Sequence, residues 1–362
     1  MMNTKISNKG FASLLFFSSQ SMFLGVGITQ MLNSSEQSSP LSIILGFILG
    51  FIILYFFIKL FNYEKDLDLF KKIEKLFGKG IGNIINIILV LLFVLYFIYT
   101  LWSIQLYIQN KYLDKTPSII ILILFLIPVV YSVNSGIKTI SKVSLIIFFI
   151  SIIEILLSIF GLTSFIEIDN LKPFFNIPFI TILKNSLYFI SYFLTPTILM
   201  LTIPKNQIDN QDKINKRIII FYIFGCINFL LLFIFIISIF GIELSKLFYY
   251  PEFTLIKKIN YFDFIQHVEN ILSTQWLFSL FISAVMSLFF VKSYLNHKNI
   301  DRKKIYYPFI IISLILSTML FKNTTIAYNV VKDYYIFVYT IPIFSLIIIS
   351  IIIARFKKNK AT

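Results

Sequence analysis

The sequence predicts an all-α integral membrane protein. Ten transmembrane helices form a five-plus-five inverted repeat in which helices 1 and 6 are broken. Three observations predict it. First, the 362 residues are 58% hydrophobic and only 14% charged, against about 45–50% and about 25% in soluble globular chains. Second, the apolar residues gather in continuous runs of the length that crosses a bilayer as a helix. Third, amphipathic connections and helix interruptions recur at matched places in the two halves, as an inverted repeat requires. The composition excludes a soluble enzyme, a disordered tail and a secreted disulfide scaffold.

The runs fall at 10–32, 41–61, 81–108, 117–133, 140–160, 181–203, 218–241, 270–291, 307–321 and 335–354. About 210 apolar residues are available, material for roughly ten spans of about 20 each. Transmembrane barrels read instead as alternating segments of about ten residues. Lys5 and Lys9 precede the first run, as in a signal peptide. That run is long and no A-x-A-like site follows, so it reads as an uncleaved first span. Pro128 lies inside the fourth run, which neighbouring helices can tolerate. The chain therefore reads as one membrane domain, 1–362. The first five-helix repeat covers 10–160, the second covers 181–354, and 355–362 is a basic cytoplasmic tail.

Charge sets the orientation. With the N-terminus in the cytoplasm, 23 of the 32 Lys and Arg residues fall in inside segments, including all three arginines. The positive-inside rule then puts both termini in the cytoplasm. The net charge of +15 is thereby a topology signal spread over the loops, not a nucleic-acid footprint. The single Cys226 lies in an apolar run and cannot form an internal disulfide.

Two long connections support the repeat. Between spans 2 and 3, Leu69, Phe70, Ile73, Leu76 and Phe77 recur at helical spacing, with Lys71, Lys72, Glu74 and Lys75 between them. Between spans 7 and 8, Leu255, Ile256, Ile259, Ile265 and Val268 recur, with Lys257, Lys258, Asp263 and His267 between. A shift of five spans maps one onto the other, on opposite sides of the membrane.

The matched first spans are both interrupted. Span 1 carries Gly25, Val26 and Gly27; span 6 carries Thr195, Pro196 and Thr197. Gly is permissive and Pro removes a donor, so each can break a helix. A break frees backbone groups near the midplane, and the new N-terminus attracts a carboxylate. Thr195 is expected as an N-cap and Pro196 as the first helical residue. These six residues are the expected binding site for a small zwitterion. The plainer alternatives are close helix packing at the glycines and a simple kink at Pro196.

Glu154 is the only acid well inside a run. Such a group is costly and is a candidate for proton or cation handling, or else a structural hydrogen-bonder. Gln105, beside Trp102, is a softer candidate for the pocket wall, and Ser283 and Ser287 for an ion or proton path. Serines in membrane helices also act as glue between helices. Ser18, Ser19, Gln20 and Ser21 precede the first break and can face the cavity. The two histidines, His267 and His297, read as loop residues, and His297 with Asp301 as a coincidence. No phosphate-loop, nucleophile-elbow or metal-ligand pattern occurs, so no enzyme, cofactor or metal is expected.

Several stretches resemble the B-subunit permeases of endospore germinant receptors, members of the amino acid–polyamine–organocation superfamily. One is Phe240-Gly241-Ile242-Glu243-Leu244, then Tyr250-Pro251, Ile259-Asn260, Asp263-Phe264 and Trp276. A second is Thr116-Pro117 with Tyr131, Gly136-Ile137 and Lys142; a third is Asn170-Leu171-Lys172-Pro173. The glycine pair of span 1 and Pro204 after span 6 also fit. His267 stands where the family usually has Arg, and Thr195-Pro196 where it often has Gly-Glu, so no carboxylate carries over to span 6. The resemblance implies a LeuT/APC-type fold, location in the inner spore membrane, a larger membrane A subunit and a lipid-anchored C subunit.

The expected function is binding of an amino-acid-like germinant between broken spans 1 and 6. The alternative is a proton- or ion-coupled amino-acid transporter. A membrane transferase or polymerase of surface polysaccharide is a third class, against which the matched breaks argue.

Overall fold

A computed structural model describes residues 5–23, 27–259, 268–300, 302–320 and 324–359. In chain order the helices are α1 Asn8–Gln20, α2 Gly27–Ser35, α3 Ser39–Asn62, α4 Leu69–Phe77, α5 Lys79–Lys111, α6 Ser118–Ser135, α7 Ile137–Leu162 and α8 Phe179–Leu194. There follow α9 Gln211–Leu247, α10 Pro251–Ile256, α11 Val268–Leu272, α12 Thr274–His297, α13 Arg302–Leu320, α14 Thr324–Tyr335 and α15 Ile341–Asn359. Among the described residues the only β feature is an isolated parallel bridge between Ile6 and Ile208.

Seven stretches are long and apolar enough to cross a membrane: Gly27–Asn62, Lys79–Lys111, Ser118–Ser135, Ile137–Phe165, Gln211–Leu247, Glu269–His297 and Tyr328–Lys357, with a shorter apolar helix over Ile305–Met319. The chain is therefore a multi-pass helical membrane protein. The choice of helix is forced, because hydrocarbon offers no partner to a free N–H or C=O. Side chains close the helix starts that lie outside it. Ser7 Oγ accepts from Gly10 N–H at 3.0 Å, and Asp68 Oδ1 from Lys71 N–H at 2.9 Å.

The burial pattern is that of a lipid-solvated bundle. Ile48, Ile52, Leu91, Ile127, Ile153 and Ile311 are each more than half exposed, while serines lie inside. Ser144 Oγ donates to Ser13 Oγ at 3.0 Å, joining α7 to α1. The tightest pairing is α3 on α8. A Cβ on Gly46 would sit 2.8 Å from Phe189 and 2.9 Å from the Ser186 carbonyl of α8, while one on Gly50 would overlap the hydroxyl of Tyr222 on α9. Ser42, Gly46 and Gly50 recur every fourth residue, the small-residue spacing that lets membrane helices approach closely.

Two elements occupy the centre. All of α1 except Lys9 is buried. So is a 3₁₀ segment, Thr195–Thr202, that continues directly from α8. α1 packs against this segment and against α7, α9 and α12.

Several predicted runs are divided. The run 10–32 becomes α1, a 3₁₀ turn at Ser21–Phe23, and α2 from Gly27; Gly25 and Val26 lie outside the described residues. The run 181–203 becomes α8 and the 3₁₀ segment. The last run starts earlier than expected, at Thr324, and a π-helical segment, Ile336–Thr340, interrupts it.

The first amphipathic connection is α4, with Leu69, Phe70, Ile73 and Leu76 buried and Lys71 and Lys75 exposed. Lys72 departs from the expected polar face. It is 1% exposed and donates to the Leu60 and Phe61 carbonyls, each at 3.0 Å. Both carbonyls lie in the last turn of α3, where the α pattern leaves carbonyls short of donors; Leu60 O also accepts from Tyr63 N–H at 3.2 Å. In the second connection Leu255, Ile256 and Ile259 are buried, while Asp263, Ile265 and His267 lie outside the described residues. His297 is not a loop residue: it closes α12, and its Nε2 is 2.9 Å from Glu74 Oε1. Lys298 Nζ reaches the same oxygen at 2.7 Å, so one carboxylate ties α4 to the end of α12. Asp301 lies outside the described residues.

Candidate functional site

The 3₁₀ segment carries a proline at its second position for a physical reason. Pro196 has no N–H to give in the α pattern, so the chain tightens to i→i+3 bonding. Thr195 is not the N-cap that the sequence predicts. Its backbone N–H still bonds Ser191 O, closing α8, and Leu194 occupies the cap position of the tighter segment. The Thr195 side chain turns instead to Thr340, with the two hydroxyl oxygens 3.2 Å apart. Thr340 ends the π segment, so the two irregular stretches meet side chain to side chain. Thr197 Oγ1 donates to Leu194 O at 2.6 Å.

Beside this contact lies a cavity of about 200 Å³, lined by Met22, Tyr96, Tyr99, Tyr335 and Tyr339 among others. Met22 belongs to the 3₁₀ turn that ends α1. The Tyr96 hydroxyl is 2.7 Å from Ser21 Oγ and 3.4 Å from Ser283 Oγ, joining α5, the end of α1 and α12. Tyr192, on α8, donates to Gln30 Oε1 on α2, and its ring lies 5.0 Å from that of Tyr335. The Tyr335 hydroxyl is buried with no hydrogen-bond partner among the described residues. A buried hydroxyl left so carries a desolvation cost of about 1–3 kcal/mol that a ligand oxygen or nitrogen would relieve. A wider opening of about 420 Å³ lies further along, lined by Thr29, Asn33, Lys246, Tyr249 and Tyr328. Tyr328 donates to Thr29 Oγ1 at 3.4 Å across it.

The remaining candidates separate into two places. Ser283 joins the Tyr96 cluster, and Ser287 Oγ donates to the Ser283 carbonyl at 2.7 Å. Gln105 does not join it. Its Nε2 donates to Ser118 Oγ on α6 at 2.8 Å, and two turns of α5 separate it from Tyr99. Trp102 is buried, its ring 5.5 Å from that of Tyr99.

Glu154 anchors a second polar seam. It is 4% exposed; Oε1 accepts from Thr274 Oγ1 at 2.5 Å, and Oε2 has no hydrogen-bond partner among the described residues. One turn earlier on α7, Ser151 lines a narrow cleft with Gln20, Asn228, Gln275 and Ser279. Asn228 Nδ2 donates to Gln20 Oε1 at 3.2 Å, so the seam runs from α7 to the last residue of α1. Ser18 Oγ is buried without a partner among the described residues, while Ser19 Oγ donates to Phe16 O at 2.6 Å.

Sequence reasoning missed the tyrosines. Their signal is position: tyrosine favours the membrane interface, yet Tyr96 lies mid-run, and Tyr335 and Tyr339 sit one turn apart. A phenol buried so deep needs a polar partner.

Two of the family-like stretches, far apart in sequence, also come together. Gly241 adopts φ +67°, ψ 167°, which breaks α9 and which a side chain would disfavour. Asn170 Nδ2 donates to Ser238 O at 2.9 Å, and Glu167 N–H to the same carbonyl at 3.2 Å, satisfying the group next to that break. A family model described as spore germination protein, the spore permease model, matches residues 6–327. The chain belongs to the spore germination protein family.

Among relatives of this permease, a Bacillus subtilis (strain 168) protein named as a spore germination protein, YfkT, is 25% identical over 231 residues. The match covers 62% of this chain and 62% of that protein. In fold the permease is similar to Mhp1, a nucleobase-cation-symport-1 family transporter solved in a closed conformation with bromovinylhydantoin bound. The TM-score is 0.58 at 13% identity, over 88% of this chain and 72% of that one. The family model is named for spore permeases, and the fold is like that of Mhp1.

Proposed function

We propose that this spore germination permease binds a small amino-acid-like germinant between the end of α1, the start of α2 and the Thr195–Thr202 segment. The observation that carries the reading is the Tyr335 hydroxyl, partnerless among the described residues, in the cavity that Met22 of the 3₁₀ turn after α1 and Tyr339 of the π segment also line. The start of α2 at Gly27 offers free N–H groups and a positive dipole end to a carboxylate. The reading takes Gly27, Thr195, Pro196 and Thr197 as the backbone of the site and Ser283 as its far wall; Gly25 and Val26, which the sequence also assigns to it, lie outside the described residues. Gln105 stands outside it. The reading takes the chain as ten spans in two inverted repeats, 10–160 and 181–354, with both termini cytoplasmic. It places the protein in the inner spore membrane as the permease-like subunit of a receptor with a larger membrane subunit and a lipid-anchored one.

A coupled transporter is the second reading, and one observation favours it. Glu154 keeps one oxygen unpartnered among the described residues, at the head of a polar seam that leads to Gln20. In that reading Glu154 carries the proton, and Ser283 and Ser287 flank the path.

Two measurements test the readings. Equilibrium binding of radiolabelled amino acids to the purified chain, repeated with Thr195→Val, tests the site; saturable binding that the variant leaves unchanged removes it. Uptake into proteoliposomes under a proton gradient separates the functions. Accumulation lost in Glu154→Gln favours the transporter. Binding without uptake, with co-purifying subunits, favours the receptor.

A further inference from the structure

Another cavity lies away from the central site, where α3, α4 and α15 meet. It holds about 630 Å³, and its wall includes Lys59, Tyr63, Glu64, Lys75, Arg355 and Lys357. Four cations thus face one carboxylate. Glu64 is already held by Lys75 at 2.5 Å. Lys59 lies 5.3 Å from the Tyr55 ring centroid, Arg355 Nη2 is 3.5 Å from the Tyr55 hydroxyl, and Lys357 Nζ donates to the Lys75 carbonyl at 2.9 Å. None of these last three cations pairs with a carboxylate among the described residues. Cations gathered in a concave site raise the local potential and concentrate anions there.

The chain on either side says which anion. Along α3 the sequence passes from the lipid-exposed Ile48 and Ile52 to Tyr55 and then Lys59. Along α15 it passes from the exposed Ile349 and Ile352 to Arg355 and Phe356, the latter 67% exposed. The cleft therefore sits where the apolar belt ends and water begins, with Tyr55 placed as interfacial tyrosines are. A soluble anion would use the cations alone. A phospholipid would use the cations for its phosphodiester and the two isoleucine-lined ridges for its chains. Basic pockets between membrane helices hold anionic headgroups in this way.

We propose that the cleft between α3, α4 and α15 is a binding site for an anionic glycerophospholipid, with Lys59, Arg355 and Lys357 on the phosphodiester. A bound lipid would bridge the end of α15 to α4, which Lys357 already joins through the Lys75 carbonyl.

The test is native mass spectrometry of the purified full chain, titrated with phosphatidylglycerol or with phosphatidylcholine of the same acyl chains. The expected result is retention of one phosphatidylglycerol at concentrations where phosphatidylcholine is lost. Combining Lys59→Gln, Arg355→Gln and Lys357→Gln weakens that retention about 100-fold, on a scale of about five-fold for each cation near a surface. Arg355→Gln alone, at an exposed last turn where folding is indifferent, weakens it about five-fold. Lys213→Gln, Lys216→Gln and Arg217→Gln together remove the same charge elsewhere and leave retention unchanged. Equal retention of the two lipids, or an equal loss in the Lys213, Lys216 and Arg217 variant, overturns the site. Binding of glycerol phosphate as tightly as phosphatidylglycerol overturns the lipid and leaves a soluble anion.

Discussion

The hydroxyl oxygens of Thr195 and Thr340 lie 3.2 Å apart, although the residues are 145 positions apart in the chain. Each belongs to a stretch that departs from α geometry, one to a 3₁₀ segment and the other to a π segment. Both are buried. A hydrogen bond between two hydroxyls in such a place contributes about 0.5–1.5 kcal/mol. A double-mutant cycle with Thr195→Val and Thr340→Val is expected to show coupling of about that size in thermal or denaturant stability. Additive effects would mean that the two irregular segments are independent.

Tyr335→Phe separates stability from recognition. The hydroxyl has no partner to lose among the described residues, and Phe removes its desolvation cost, so the variant is expected to be more stable than the parent, by about 1–3 kcal/mol at most. Ligand binding, where the hydroxyl meets a charged ligand group, is expected to weaken about tenfold or more, as a hydrogen bond to a charged group contributes about 1.5–3 kcal/mol. Calorimetric titration beside a melting curve reads both quantities. Tyr96→Phe is the contrasting variant, because it also unties Ser21 and Ser283.

Lys72 gives a pH dependence. Burial pushes its ammonium down to about 8 from the ordinary 10.5, against the opposing pull of Asp68 and Glu64. Between those values an undocked α4 binds more protons than the docked one, so docking strengthens as pH rises through that window and is weaker below it. The full difference is about 3 kcal/mol. Hydrogen exchange of the α4 amides, corrected for intrinsic rate, is expected to show protection rising from pH 8 to 10. Lys72→Met is expected to flatten the profile. The neutral amine still has two N–H groups for the Leu60 and Phe61 carbonyls, so the contact outlasts the charge.

Gly46→Leu tests the close approach of α3 and α8. The new side chain meets the Ser186 carbonyl, which is backbone and cannot swing away. Overpacking of this kind costs about 1–3 kcal/mol. A lowered melting temperature in detergent is the expected result, with a smaller drop for Gly80→Leu, where nothing lies within 4 Å.

How far the sequence reaches differs between fold and site. Apolar runs and the amphipathic spacing at 69–77 predict the spanning helices and α4, because hydrocarbon forces backbone bonds into the helix and one face of α4 must find cover. Pro196 marks the right place for an irregularity. It does not say which kind, since the choice between a fresh helix and a 3₁₀ continuation depends on whether Ser191 O keeps its bond to Thr195. The buried Lys72 reads as surface in sequence, because its partners are carbonyls of another helix and leave no side-chain trace.

By itself the sequence determined that this chain lives in a bilayer, that it is helical throughout its long apolar runs, and where charge interrupts those runs. Those are properties of each segment against its solvent. Only the tertiary structure decided that Thr195 faces Thr340, that Tyr96 joins Ser21 to Ser283, and that Gln105 turns away to Ser118. Such pairings depend on how helices from distant parts of the chain rotate about their axes. That rotation is set by packing of small against large side chains, which no single segment contains.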